Sequence, residues 1–74
     1  MIRELYDPYA RKHVSIDLTK VVAVRKPTPP AQHSAEIEYA VGKEARTVNV
    51  SEDYTRVVQA WREAKAIEEG GYET

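Results

Sequence analysis

The chain has 74 residues, the length of one small domain whose hydrophobic core must be thin. It has no cysteine, which excludes disulfides, thiolate zinc sites and cysteine nucleophiles. The formal net charge is −1, but residues 1–26 carry six basic and three acidic groups, whereas residues 27–74 carry five and nine. No stretch resembles a signal peptide or approaches the roughly 20 apolar residues of a membrane span, so we expect one cytoplasmic domain over residues 1–74.

Four segments alternate between apolar and polar residues, which is typical of half-buried β-strands. They are residues 13–18, 21–26, 34–41 and 45–50. In the second segment Val22 and Val24 are expected to face the core, because the other register would point Arg25 inward. Gly42 can adopt a positive φ in a tight turn between the last two segments, and residues 2–6 can add an edge strand.

After residue 51 the pattern changes to the i, i+3, i+4, i+7 spacing of one apolar stripe on a helix. We predict a helix over residues 52–69, with Ser51 as its N-cap and a pair of glycines at its end. Residues 71–74 are expected to form a flexible tail. The predicted stripe consists of Tyr54, Val57, Val58, Trp61 and Ala64.

The predicted fold class is therefore α+β, an antiparallel sheet of four to five strands followed by one C-terminal helix packed on one face (ββββα). A four-stranded sheet is about 15–20 Å wide, whereas one helix covers about 10 Å. Part of the sheet would stay open, and a second copy of the chain is the simplest cover. We accordingly predict a homodimer formed through an exposed sheet edge or the uncovered face. In a monomer, residues 2–9 would have to cover the open side instead.

The sequence argues against catalysis and against a bound cofactor or metal. His13, Ser15 and Asp17 are the residue types of a hydrolytic triad, but they share one strand without a turn that would expose a nucleophile. The two histidines, His13 and His33, are 20 residues apart and lack the spacing of metal ligands. His33 is expected to be solvated in a loop. We therefore predict that the protein is not an enzyme and has no catalytic, cofactor-binding or metal-binding residue.

The N-terminal segment is one of two candidate interaction sites. Tyr6 and Tyr9 are followed closely by Arg11 and Lys12, and aromatic rings can stack on bases while cations hold phosphates. The same tyrosines can pack at the rim of the fold or in a protein interface. We favour packing or a protein interface, because the sequence pI of about 6.1 is far from the basic value of a dedicated nucleic-acid domain.

The prolines of the segment "RKPTPPAQHS" form the second candidate interaction site. Pro27, Pro29 and Pro30 lie between the second and third predicted strands, where they cannot donate to a β-ladder. Pro27 and Pro30 have the spacing of a polyproline ligand, but the flanking cations are misplaced for one. We therefore interpret the prolines as stiffening a long hairpin tip and preventing edge pairing.

The order of segments along the chain resembles that of the small FlbD/SwrD-type proteins encoded in bacterial flagellar operons. The likeness rests on the segments "MIRE", "HVSIDLTKVVAV" and "TVNVSEDYTRVVQAW". Two features depart from that family, which has a glycine turn where this chain has Ala10-Arg11-Lys12 and a shorter middle hairpin. The strand-strand-strand-helix end is also similar to the LytTR-type DNA-binding domain, without its binding loops. The resemblance implies an accessory or regulatory bacterial or phage protein that acts through contacts, and it transfers no catalytic residue.

Two functions stay open at this point. The first is a non-catalytic accessory or adaptor protein that contacts a protein partner through the sheet surface and the proline loop. The second is a nucleic-acid accessory protein that uses the basic N-terminal half of the chain. Its candidate residues are Tyr6, Tyr9, Arg11, Lys12, Lys20, Arg25 and Lys26.

Overall fold

Five β-strands precede one α-helix in the computed structural model, which describes residues 1–68. The strands are β1 (Ile2–Asp7), β2 (Lys12–Asp17), β3 (Val21–Arg25), β4 (Ala35–Val41) and β5 (Glu44–Val50). A short 3-10 helix, Leu18–Lys20, separates β2 from β3, and α1 spans Tyr54–Glu68. The α+β class is confirmed, and the N-terminal segment forms the fifth strand.

The strands form two antiparallel sheets, one of β1 and β2 and one in the order β3-β4-β5. The prediction of a single sheet of four to five strands is wrong because the chain turns between β2 and β3, although the number of five strands lies within it. There the Asp17 carboxylate accepts hydrogen bonds from the Thr19 backbone N–H (3.0 Å) and hydroxyl (2.7 Å), which caps the 3-10 helix. The β1–β2 hairpin adjoins the second sheet where the Ser51 N–H donates to the Tyr6 carbonyl oxygen (2.9 Å).

The hydrophobic core draws side chains from both sheets, from the 3-10 helix and from α1. Its buried members are Leu5, Ile16, Leu18, Val21, Ala35, Ile37, Val50, Val57 and Ala64. Leu5 and Ile16 belong to the β1–β2 hairpin, so the two N-terminal strands contribute to this core but are separate from the sheet of three strands. The width of the sheet is therefore no longer a reason to expect a dimer.

The register predicted for β3 is wrong at its start. Val21 is only 1% exposed, whereas Val22, which was expected inside, is 55% exposed. The pairing of β3 with β4 shifts between Val21 and Ala23, and such a β-bulge reverses the side to which the following residues point. Beyond the shift Val24 packs against the core as expected. The tight turn at Gly42 is confirmed, with a φ of 61°.

The helix begins later than predicted, because Asp53 and not Ser51 caps it. The Asp53 carboxylate accepts a hydrogen bond from the Thr55 N–H (3.1 Å), while its carbonyl accepts one from the Val57 N–H (3.0 Å). Ser51 is still part of the sheet connection to β1. The predicted helix end at residue 69, the two glycines and the predicted tail lie outside the described residues.

The apolar stripe of α1 faces the 3-10 helix and β3. Val57 and Ala64 are buried, and Ala60 and Trp61 pack around them, whereas Val58 lines a surface cavity and was wrongly placed among the core residues. The indole N–H of Trp61 donates to the Val21 carbonyl oxygen (3.2 Å), which fixes the helix to the first residue of β3. No helix within residues 1–68 is long and apolar enough to cross a membrane.

Candidate functional site

The turn between β1 and β2 is organised by Asp7. Its carboxylate accepts hydrogen bonds from the backbone N–H groups of Tyr9 (2.9 Å) and Ala10 (3.1 Å), and its carbonyl accepts one from Arg11 (2.8 Å). Arg11 has a φ of 59°, a left-handed conformation that strains any residue with a Cβ atom. These hydrogen bonds hold the turn so that the Tyr9 ring projects from it, with 51% of the residue exposed.

The proline loop, residues 26–34, connects β3 with β4 and contains a cis peptide bond between Pro29 and Pro30. The Ser34 N–H donates to the carbonyl oxygen of Val50 (2.8 Å), which fixes the end of the loop to the last residue of β5. The loop therefore forms a hairpin tip, as predicted, and its tip is exposed.

A chain of hydrogen bonds joins the two loops through Tyr9, His33 and Glu36. The Tyr9 hydroxyl lies 2.8 Å from His33 Nδ1, and His33 Nε2 lies 3.0 Å from a Glu36 carboxylate oxygen. The Gln32 N–H donates to the same hydroxyl (3.1 Å). One tautomer of His33 satisfies both partners, with Nδ1 accepting from the Tyr9 hydroxyl and Nε2 donating to Glu36.

The environment of His33 differs from the sequence prediction. Its side chain is 8% exposed, where a solvated imidazole was expected. The rings of Tyr9 and His33 meet edge to face with centroids 5.3 Å apart, which covers the imidazole. The spacing of His33 and Glu36 at the start of β4 was a local signal for their contact. No local signal points to Tyr9, which is 24 residues away along the chain.

Beside this chain of hydrogen bonds lies an open cavity of about 240 Å³. One wall comes from the proline loop and the other from the start of α1. The lining residues are Lys26, Pro27, Pro29, Ala31, His33, Ser34, Asp53, Tyr54 and Thr55. The cavity has one basic and one acidic side chain, Lys26 and Asp53, next to prolines.

Most candidate interaction residues lie at one end of the molecule, which we call the loop end and define as residues 8–12 and 26–34. Tyr9, Pro27 and Pro29 are brought together there by the contacts described above. The other members, Arg11, Lys12 and Pro30, are exposed. Tyr6 stands apart on the outer face of β1, where its ring contacts that of His13 across the strand pair (centroids 5.2 Å apart).

The basic residues of the N-terminal half do not share one face. Arg3 forms an ion pair with Glu52 (3.2 Å), and Arg25 forms one with Glu38 on the neighbouring strand. Lys20 lies on the 3-10 helix, which follows the far end of β2 and is therefore roughly 17 Å from the loop end. Of the seven residues proposed for nucleic-acid binding, only Tyr9, Arg11, Lys12 and Lys26 belong to the loop end.

The three residue types of a hydrolytic triad stay apart from one another. His13 and Ser15 are exposed on β2, and neither is hydrogen-bonded to Asp17 in the part of the chain that the structure describes. Asp17 instead caps the 3-10 helix, and the hydrogen bonds from the Thr19 hydroxyl and N–H lower its pKa below the ordinary 3.8. Within residues 1–68 no group of three or more histidine, aspartate and glutamate side chains could hold a metal ion.

No protein-family model matches this chain, and no curated protein or solved structure matches it significantly. The resemblance to the FlbD/SwrD-type proteins accordingly stays a prediction from the sequence.

Proposed function

We propose that this chain is a non-catalytic accessory or adaptor protein of a bacterium or phage, located in the cytoplasm, that acts through protein–protein contacts at the loop end. The observation that carries the proposal is the chain of hydrogen bonds from Tyr9 through His33 to Glu36. It joins two loops into one surface that exposes a tyrosine and prolines. A surface ordered before binding loses less conformational entropy when a partner docks, and exposed aromatic rings are typical anchors of protein interfaces.

Site-specific photo-crosslinking in the cells that encode the protein tests this role. A photoreactive residue replaces Thr28, which is exposed at the loop end, and a matched variant carries it at Gln59 on the exposed side of α1. We expect a discrete heteromeric product from position 28 that is lost when Tyr9→Ala is added. Products of equal yield from both positions, or none from position 28, would contradict a specific contact at the loop end.

We also propose a homodimer, now for a different reason from the width of the sheet. Among the described residues, β1, β2, β3 and β5 each pair with one neighbour only. Such an unpaired backbone edge can pair with another chain. Sedimentation at high micromolar concentration should give roughly twice the monomer mass of 8.4 kDa, and a species at the monomer mass throughout would exclude the dimer.

The second candidate function, nucleic-acid binding, is supported by the exposed cations Arg11, Lys12 and Lys26, which belong to the loop end as Tyr9 does. Ion pairing of Arg3 and Arg25 and the distant position of Lys20 weigh against it. We expect no binding to mixed DNA or RNA oligonucleotides in an anisotropy titration at physiological salt. A low-micromolar complex that weakens steeply with salt, and that Arg11→Glu/Lys12→Glu abolishes, would favour this function over the first.

A further inference from the structure

Among the described residues four strands, β1, β2, β3 and β5, each have one unpaired edge, and these edges differ in how well they can accept another strand. On β1 the Tyr6 carbonyl oxygen already accepts a hydrogen bond from the Ser51 N–H. β3 carries the bulge between Val21 and Ala23, and the Val21 carbonyl oxygen is already bonded by Trp61. Bulges of this kind are a common protection of edge strands against pairing. β2 pairs with β1 in continuous register from Lys12 to Asp17 and contains neither a bulge nor a proline. β2 is therefore an edge that is open to a further strand. β5 is equally regular, since it pairs with β4 continuously from Glu44 to Val50, so the choice between these two edges depends on their side chains.

The sequence of β2 is complementary to itself in one antiparallel register. Two copies related by a two-fold axis perpendicular to the sheet keep the same faces on the same side, so residues of like orientation must oppose each other. Centring the pair on Ser15 places His13 opposite Asp17 of the second copy, and this contact occurs twice. On the inner face the same register places Val14 opposite Ile16, an apolar pair of β-branched residues.

Shifting the register by two residues removes this match. With Val14 at the centre, Lys12 would lie opposite Ile16, and His13 would lie opposite Ser15. With Ile16 at the centre, Ser15 would lie opposite Asp17, and both histidines would lose their acidic partner. Of these three registers, only the one centred on Ser15 therefore combines a histidine–carboxylate pair on the outer face with apolar contact on the inner face.

We propose that a second copy of this chain binds along β2 in the register centred on Ser15, to give a continuous four-stranded β1-β2-β2-β1 sheet. The inference rests on the proposed homodimer and specifies its interface. Because the two β2 strands run antiparallel, the loop ends lie at opposite ends of this sheet. The dimer thus presents two contact surfaces in opposite directions, which suits an adaptor that joins two partner molecules.

Single cysteine variants test the register directly, because the natural chain has no cysteine. Ser15→Cys places two thiols opposite each other across the axis, within the Cα distance that a disulfide requires. Val22→Cys is the matched control on the competing edge of β3, where the residue is also exposed. Under mild oxidation we expect Ser15→Cys to form a covalent dimer at least about tenfold faster than Val22→Cys, and the difference to disappear in urea.

Two further variants at one exposed position test the electrostatic contact. His13→Lys places a full positive charge opposite Asp17 of the second copy, and His13→Asp places a like charge there. We expect the dimer Kd from sedimentation to fall about threefold or more in the first and to rise about threefold or more in the second. Both variants lose the ring contact with Tyr6, so an effect of that loss alone would have the same sign in each.

A failure of the β2 interface can be distinguished from a failure of the proposed homodimer. Equal oxidation rates of the two cysteine variants, or Kd changes of the same sign in the two His13 variants, would reject the β2 interface. If the wild-type chain then still sediments as a dimer, the proposed association stands. A wild-type chain that sediments as a monomer would reject both. Neither result depends on the crosslinking assay that tests the loop end.

Discussion

The helix side and the loop end are held together by different kinds of contact. On the helix side, Val57 and Ala64 of α1 are buried against the 3-10 helix and β3, and one indole hydrogen bond supplements this apolar packing. At the loop end, two exposed loops are joined by polar groups around His33. The difference suggests that the helix side supplies stability, whereas the loop end supplies a surface of defined shape at small energetic cost.

The largest effect is expected on the helix side. Trp61→Ala removes a half-buried ring from the core together with its hydrogen bond to Val21, and should lower the free energy of unfolding by about 3 kcal/mol. Ile67→Ala is the control on the same helix, because Ile67 is half exposed, and should change stability by less than about 0.5 kcal/mol. Urea denaturation of the two variants decides the matter, and similar losses in both would disprove the packing.

A smaller effect is expected at the loop end. Tyr9→Phe keeps the ring but removes the hydroxyl, which leaves the nearly buried Nδ1 of His33 and the Gln32 N–H without their partner. The free energy of unfolding should fall by about 1 kcal/mol. Tyr6→Phe removes a hydroxyl that has no hydrogen bond within the described part of the chain, and should leave the denaturation midpoint unchanged. Equal losses in both variants would argue against the chain of hydrogen bonds.

The turn that carries Tyr9 should become more stable in one variant. Arg11→Gly relieves the left-handed strain at φ 59°, which outweighs the greater freedom of glycine in the unfolded chain, and should gain about 0.5 kcal/mol. Lys12→Gly is the neighbouring control and should be destabilising, because glycine weakens a regular strand. Thermal melts that rank the two variants in the opposite order would exclude strain at Arg11.

The smallest effect concerns pH and lies away from both regions. Because the pKa of Asp17 is lower in the folded protein than its ordinary value, its ionised form stabilises the fold above about pH 4. That contribution is lost as the pH falls through the lowered pKa. The difference in stability between the wild type and Asp17→Asn should therefore be constant near neutral pH and shrink in acid. Urea denaturation at several pH values measures it, and a difference independent of pH would contradict the assignment.

Apolar periodicity was sufficient to predict most of the elements. The strands around Ile16, Ile37 and Val50 and the stripe through Val57 and Ala64 follow from alternation and helical spacing, because burial imposes those periods directly. One error arose where a polar group changed the path of the chain. Asp17 caps a 3-10 helix that divides the expected sheet in two. A second error has a different cause, because the bulge in β3 places Val21 rather than Val22 in the core.

The candidate site was predictable only in its parts. Tyr9 and the prolines were identified as candidates from their residue types, since aromatic rings and prolines at the surface are typical of contacts. Their meeting depends on the path of β1 and β2, which places the turn beside a loop more than 20 residues away in the sequence. Polar contacts of this kind have no periodic pattern, so the contact of His33 with Tyr9 could not be anticipated.

Amide hydrogen exchange at Gln32 tests most directly whether the two loops form one preformed surface. Its N–H donates to the Tyr9 hydroxyl across the loop end, and the core amide of Val57 serves as reference. We expect Tyr9→Phe to accelerate exchange at Gln32 by about tenfold while exchange at Val57 changes little. An unchanged rate at Gln32, or equal acceleration at both amides, would show that the loops are not joined through Tyr9.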